Sequence, residues 1–323
     1  MTDTSPAPAP VPVTASRLRR AALLVLVALV TFLAVDRAAD AVLRHGLDRY
    51  FGLDQEEALL LVGHSHVVLG IDKVQVEQDL GVPVANYARA GAALEDRLLM
   101  VRHYAELHPD GVRGVVFGVD NHLFTPGGLS SNSYTLFYPH MDDPLVRQMI
   151  DRRAPSRWDV LERQASHLAR YDDVSINAAI RGWMGNWNNS VGGRFDPDAY
   201  VAQVEAEKEN GQFRYINIDA GQVALFEAFL DESEEKGWPV FLTFVPTTSQ
   251  FNALEPERAA EVDALFRRLA DEHANVTYID LREPWGEHSE FFIDPLHLNA
   301  AGSREVTADL VDHLAPLLQA PAE

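Results

Sequence analysis

The sequence predicts an α/β protein: a doubly wound, five-stranded parallel sheet with a long insertion after its third strand, preceded by one N-terminal transmembrane helix. Three observations carry this. Beyond residue 57, short apolar runs alternate with amphipathic helical spacing, as in a parallel sheet covered on both faces. About a hundred residues, 121–218, part the third apolar run from the fourth, far more than the median connection of ~4 to 6 residues. Ahead of all this, Ala21 to Val35 runs without a charge.

From the N terminus, residues 1–16 hold Pro, Ala and Thr with too few bulky apolar groups to bury, and are expected to be a disordered cytoplasmic tail. Arg17, Arg19 and Arg20 then precede the apolar segment, so 17–36 is expected to be a transmembrane signal anchor. Fifteen apolar residues fall short of the ~20 that span a bilayer, but Leu18 and snorkelling arginines extend them. A cleaved signal peptide is the alternative. Basic residues before the segment and an acidic domain after it place the N terminus in the cytoplasm and the domain outside, at the cell membrane. Residues 37–56 are expected to be a stalk, 57–318 the folded domain and 319–323 a short tail.

The strands are expected over Ala58–Gly63, Val82–Tyr87, Val112–Val119, Val240–Val245 and Val276–Leu281. Leu94, Leu98, Val101 and Ala105 recur at helical spacing and stop before Pro109 and Gly111. Val223, Phe226 and Leu230 mark a helix ending before Gly237, and Val262, Leu265, Phe266 and Leu269 mark another. Val306, Leu310 and Leu314 mark the last. Short connections between such elements imply right-handed crossovers. Within the insertion, helical signal runs over Ser156–Tyr171, followed by the aromatic, Asn-rich stretch WMGNWNN at 183–189. Trp183 and Trp187 either pack the insertion onto the sheet or form a platform for a carbohydrate.

Composition narrows function. With 27 basic and 48 acidic residues the formal charge is -21, which argues against nucleic acid as a partner. The absence of cysteine excludes disulfides, thiolate metal sites and cysteine nucleophiles. His64 and His66 alone are too few ligands for a metal, and no glycine-rich phosphate loop follows a strand, so no cofactor is expected.

Ligands of doubly wound sheets sit beyond the carboxyl ends of the strands. After the first strand comes Gly63-His64-Ser65-His66, and after the last comes Asp294-Pro295-Leu296-His297-Leu298-Asn299. A hydroxyl, an imidazole and a carboxylate are thus expected at one edge. A serine hydroxyl attacks only when a base takes its proton, and that base needs a carboxylate to fix its tautomer. Asp294 lies three residues before His297, close enough for one turn to bring them together.

The Gly-x-Ser opening and the segment DPLHLNAAG at 294–302 resemble the first and last sequence blocks of the SGNH/GDSL hydrolase superfamily. The resemblance covers 58–121 and 219–318, and implies Ser65 as nucleophile, His297 as base and Asp294 as orienting acid. It implies an oxyanion hole of the Ser65 N–H, Gly91 and an asparagine after the third strand. There the chain departs from the pattern: Asp120 stands where that asparagine falls, followed by Asn121, and a carboxylate facing the oxyanion would repel it. His64 replaces the common aspartate of the first block. His66 is a further candidate at the pocket mouth. An anchor before such a domain resembles the membrane-tethered members that acylate cell-envelope polymers, namely the D-alanyl lipoteichoic acid transfer and alginate-type O-acetylation proteins. That implies an acyl donor, a glycan or polyol acceptor and a multi-pass membrane O-acyltransferase as partner. The expected activity is serine O-acyl transfer. The same triad run with water gives an esterase, and a fold kept without activity gives an assembly subunit.

Overall fold

The computed structural model describes residues 15–126, 133–211 and 213–319. Most of the N-terminal tail and the last four residues lie outside the described residues.

The first element is a single helix, α1 (Ala15–Phe51), whose apolar part is long enough to cross a membrane and lies fully exposed. The domain follows as β1 (Ala58–Val62), α2 (Ser65–Gly70), α3 (Lys73–Leu80), β2 (Val84–Asn86), α4 (Leu94–Leu107) and β3 (Val112–Val119). The insertion contributes α5 (Pro144–Arg153), α6 (Arg157–Ala165), α7 (Asp173–Met184) and α8 (Pro197–Glu209). The chain returns through α9 (Ala220–Glu235), β4 (Val240–Phe244), the short α10 (Ser249–Asn252), α11 (Pro256–Glu272), β5 (Val276–Asp280) and α12 (Ala300–Gln319).

All five strands are parallel, in the order β2-β1-β3-β4-β5. Alternate residues of each strand feed two separate cores. Leu60, Val62, Val115, Phe117 and Leu242 pack with Leu98 of α4, Phe226 and Phe229 of α9 and Phe266 of α11. Leu59, Leu61, Val116 and Phe241 pack with Val67, Val76 and, from α12, Val306 and Leu310. A sheet buried on both faces has no polar side, so its strands read as unbroken apolar runs such as ALLLV and VFLTF. The chain leaves β1 for β2 on one side and returns to β3 on the other, which opens a crevice at the carboxyl ends of β1 and β3.

Two expectations are corrected here. The expected stalk does continue the helix, α1 running unbroken to Phe51, but its end is packed into the domain: Leu47, Phe51 and Leu53 enter the first core. The insertion helix α7 lies along this part of α1, so close that a Cβ at Gly182 would meet the Gly46 carbonyl oxygen at 1.8 Å. The helical signal over 156–171 also breaks. Ser156 caps α6, which ends at Ala165, and then the Ser166 hydroxyl and the backbone N–H groups of His167 and Leu168 donate to Asp36 of α1 instead of continuing a helix. A buried carboxylate with three donors outcompetes one more helical turn.

Candidate active site

β1 delivers Gly63 to the crevice, where a Cβ would lie 2.4 Å from Cγ2 of Val67, so the first turn of α2 folds tightly over the strand end. His64 caps that helix: its Nδ1 accepts from the His66 N–H at 3.0 Å. Ser65 is the first helical residue, so its own N–H has no intrahelical acceptor, and the residue lines the cleft beyond the strand ends.

The opposite wall comes from the loop after β5. Asp294 Oδ1 accepts the N–H groups of Leu296 and His297 at 2.8 and 2.9 Å, a local turn of the kind Asp favours. The Ile293 N–H donates to the His297 carbonyl, and the Phe292–Leu298 bridge closes the loop. Asn299 then accepts from the N–H groups of Ala301 and Gly302 and so starts α12. Within this frame Asp294 Oδ2 lies 2.8 Å from His297 Nδ1, and His297 Nε2 lies 2.7 Å from Ser65 Oγ. With Nδ1–H donating to the carboxylate, Nε2 is left unprotonated toward the Ser65 hydroxyl, an arrangement that can accept its proton. Half-burial works against the charge of Asp294, but its bonds to His297 and to the two N–H groups outweigh it and hold the carboxyl below its usual range.

A second histidine–carboxylate pair lies beneath the first. The imidazole of His64 bonds Asp120 Oδ2 through Nε2 at 2.9 Å. Arg97 donates to the same oxygen at 3.1 Å and to the Gly118 carbonyl at 2.8 Å, while the other oxygen accepts from the His122 N–H at 2.8 Å. All three side chains are buried. Burial and the Arg97 charge push the His64 pKa down, so it stays neutral. Burial opposes ionisation of Asp120 too, but the bonds from His64 and Arg97 win and keep its carboxyl well below the usual range. The carboxylate expected to face an oxyanion is therefore neutralised and turned onto its own partners.

Ser65, His297, Gly91, Asn121 and His66 share a cleft of about 570 Å³ with Asp294 at its rim. Gly91 adopts φ +79°, a left-handed backbone that a glycine allows without strain. Asn121 is buried at the cleft wall; its amide oxygen is enclosed without a partner, so only its amide N–H could serve an anionic ligand. His66 stands edge-on to both His64 and His297, with ring centroids at 4.1 and 5.5 Å. Burial, together with the neighbouring His64, keeps it neutral, and it forms a wall that limits how the His297 ring can turn.

Trp183 and Trp187 lie elsewhere. Their indole N–H groups donate to the Val42 and Arg49 carbonyls of α1, at 2.9 and 3.2 Å, and neither lines the cleft. Both rings are anchored to α1, away from Ser65, and Trp183 remains half exposed. The cleft takes Tyr200 and Gln203 of α8 and Phe213 from the insertion instead, residues without a readable spacing in sequence. Arg97 did leave a trace: it occupies the i+3 position of the apolar stripe Leu94, Leu98, Val101, an unusual place for a charge unless it is paired.

Neither a family model nor a curated protein matches this chain.

Proposed function

We propose that this chain is a membrane-anchored serine acyl-transfer enzyme of the SGNH type, with its domain on the outer side of the cell membrane. The observation that carries the reading is the continuous hydrogen-bonded line from Asp294 through His297 to Ser65. In the reaction Ser65 Oγ attacks the carbonyl carbon of an acyl donor while His297 Nε2 takes its proton. The backbone N–H groups of Ser65 and Gly91 and the side-chain N–H of Asn121 donate to the oxyanion, and collapse expels the donor alcohol with the proton from His297. An acceptor hydroxyl, deprotonated by His297, then attacks the acyl carbon; the bond to Ser65 Oγ breaks, His297 returns the proton to that oxygen, and the acceptor leaves as the new ester.

The anchor and the resemblance to membrane-tethered SGNH members point to a hydroxyl of an envelope or secreted glycan as acceptor, with a multi-pass membrane O-acyltransferase as the source of the acyl group. The buried Arg97–Asp120–His64 cluster favours an active enzyme over an inactive assembly subunit, because the Arg97 charge offsets the Asp120 carboxylate that stands where the resembled family has an asparagine.

An organophosphonate probe applied to the full chain in detergent is expected to form an adduct on Ser65, and Ser65→Ala to lose it. Equal labelling of both proteins, or of neither, would sink the serine mechanism. With an activated acetyl ester and an oligosaccharide acceptor, mass spectrometry is expected to find acetylated sugar. Release of acetate alone would make the protein an esterase.

A further inference from the structure

The stretch Leu18–Val35 of α1 is about 27 Å long at 1.5 Å per residue, slightly less than the ~30 Å of a hydrocarbon core. The edge of a bilayer around it therefore reaches Asp36. A carboxylate facing lipid there would be costly. Asp36 does not face lipid: its side chain has no exposure, because Ser166, His167 and Leu168 of the insertion donate to it at 2.8, 2.9 and 3.0 Å. One turn farther on, Asp40 binds His167 Nδ1 and the Tyr171 hydroxyl at 2.8 and 2.7 Å. These bonds fix the height of the insertion. Residues 166–171 sit level with the end of the apolar span, and α7 rises from there alongside α1.

Exposed apolar side chains stand there among the exposed Asp172, Asp173 and Asn177. Leu168 is 38% exposed, Val174 64% and Ile176 38%, beside Val35 and Val42 of α1 at 59% and 56%. Val42 lies only about 9 Å along the helix from Asp36, so this patch continues the lipid-facing surface of the span.

We propose that the insertion is a membrane collar: the 166–171 turn and the start of α7 seat in the headgroup layer that α1 leaves, with Leu168, Val174 and Ile176 against lipid. The collar hides Asp36, lengthens a short span and holds the domain at a fixed attitude to the bilayer. The exposed Asp173 beside Val174 suits zwitterionic rather than anionic headgroups. This rests on α1 spanning a bilayer.

Because the chain has no cysteine, single thiols can be placed at will. Full-length V174C, I176C, V30C and V201C, each carrying a nitroxide in phosphatidylcholine nanodiscs, would be compared for collision with oxygen and with a water-soluble nickel chelate. Oxygen is expected to dominate at V30C, in mid-span, and at V174C and I176C, and nickel to dominate at V201C on the exposed side of α8. Nickel dominance at V174C and I176C with oxygen dominance at V30C would overturn the collar and leave the anchor. Shielding of both positions from both reagents would overturn it in favour of a protein partner. Nickel dominance at V30C would overturn the anchor itself.

Discussion

Two histidine–carboxylate pairs flank Ser65, nearly equal in length and opposite in use. His297 and Asp294 meet at 2.8 Å on an open loop, while His64 and Asp120 meet at 2.9 Å in the interior. In the outer pair the carboxylate binds one ring nitrogen and leaves the other on the Ser65 hydroxyl. In the inner pair the second ring nitrogen is spent on the His66 N–H, and the carboxylate answers to Arg97. The same two residue types thus leave a ring nitrogen on a hydroxyl in one place and, in the other, tie every polar atom of the ring into the interior. What differs is the third partner, a hydroxyl in one case and a buried guanidinium in the other.

The sharpest way to break this contrast is to remove each carboxylate. Asp294→Asn is expected to lower turnover ~10³- to 10⁴-fold while the urea midpoint barely moves, because the wrong imidazole tautomer is stabilised in an intact fold. Asp120→Asn should cost ~3–5 kcal/mol of stability in urea titration, since it strands a buried Arg97 charge. A larger stability loss from the Asp294 variant would reverse the assigned roles. Pairing Asp120→Asn with Arg97→Met is expected to recover part of that stability; a further loss would show that Arg97 is needed for something other than Asp120.

Acid offers a second probe. The folded pKa of Asp120 is depressed, so its contribution is complete above the ordinary carboxylate pKa of ~3.9 and is lost as pH falls through the lower folded value. The stability gap between wild type and Asp120→Asn should therefore stay level from pH 7 to about 5 and close below about 4. A gap that closes near neutrality would mean that the inner pair is held by a charged His64. The smallest effect is expected from His64→Ala, ~1–2 kcal/mol in the same titration, since it removes a helix cap and one bond to Asp120 but leaves Arg97 in place.

The outer pair was legible in sequence and the inner one was not. Asp294 and His297 sit three residues apart, so their meeting is a property of one turn. Asp120 was visible only as a misplaced charge, because its partners come from α2 and α4, 56 and 23 residues away. The strands were readable for the same local reason, as short and mostly apolar runs. The insertion was not. Trp183, Trp187 and Gly182 take their meaning from α1, more than 130 residues earlier, and nothing in their own spacing points to it.

By itself, then, the sequence determined what depends on neighbours along the chain: five strands, an apolar span, and an aspartate within one turn of its histidine. Only the tertiary structure decided that Ser65 meets a histidine 232 residues away, that Asp120 is neutralised rather than repulsive, and that Asp36 is covered by the insertion. Each of those is set by burial and by which strands and helices lie side by side, and a carboxylate carries the same letter whether it faces water, a guanidinium or a ring nitrogen.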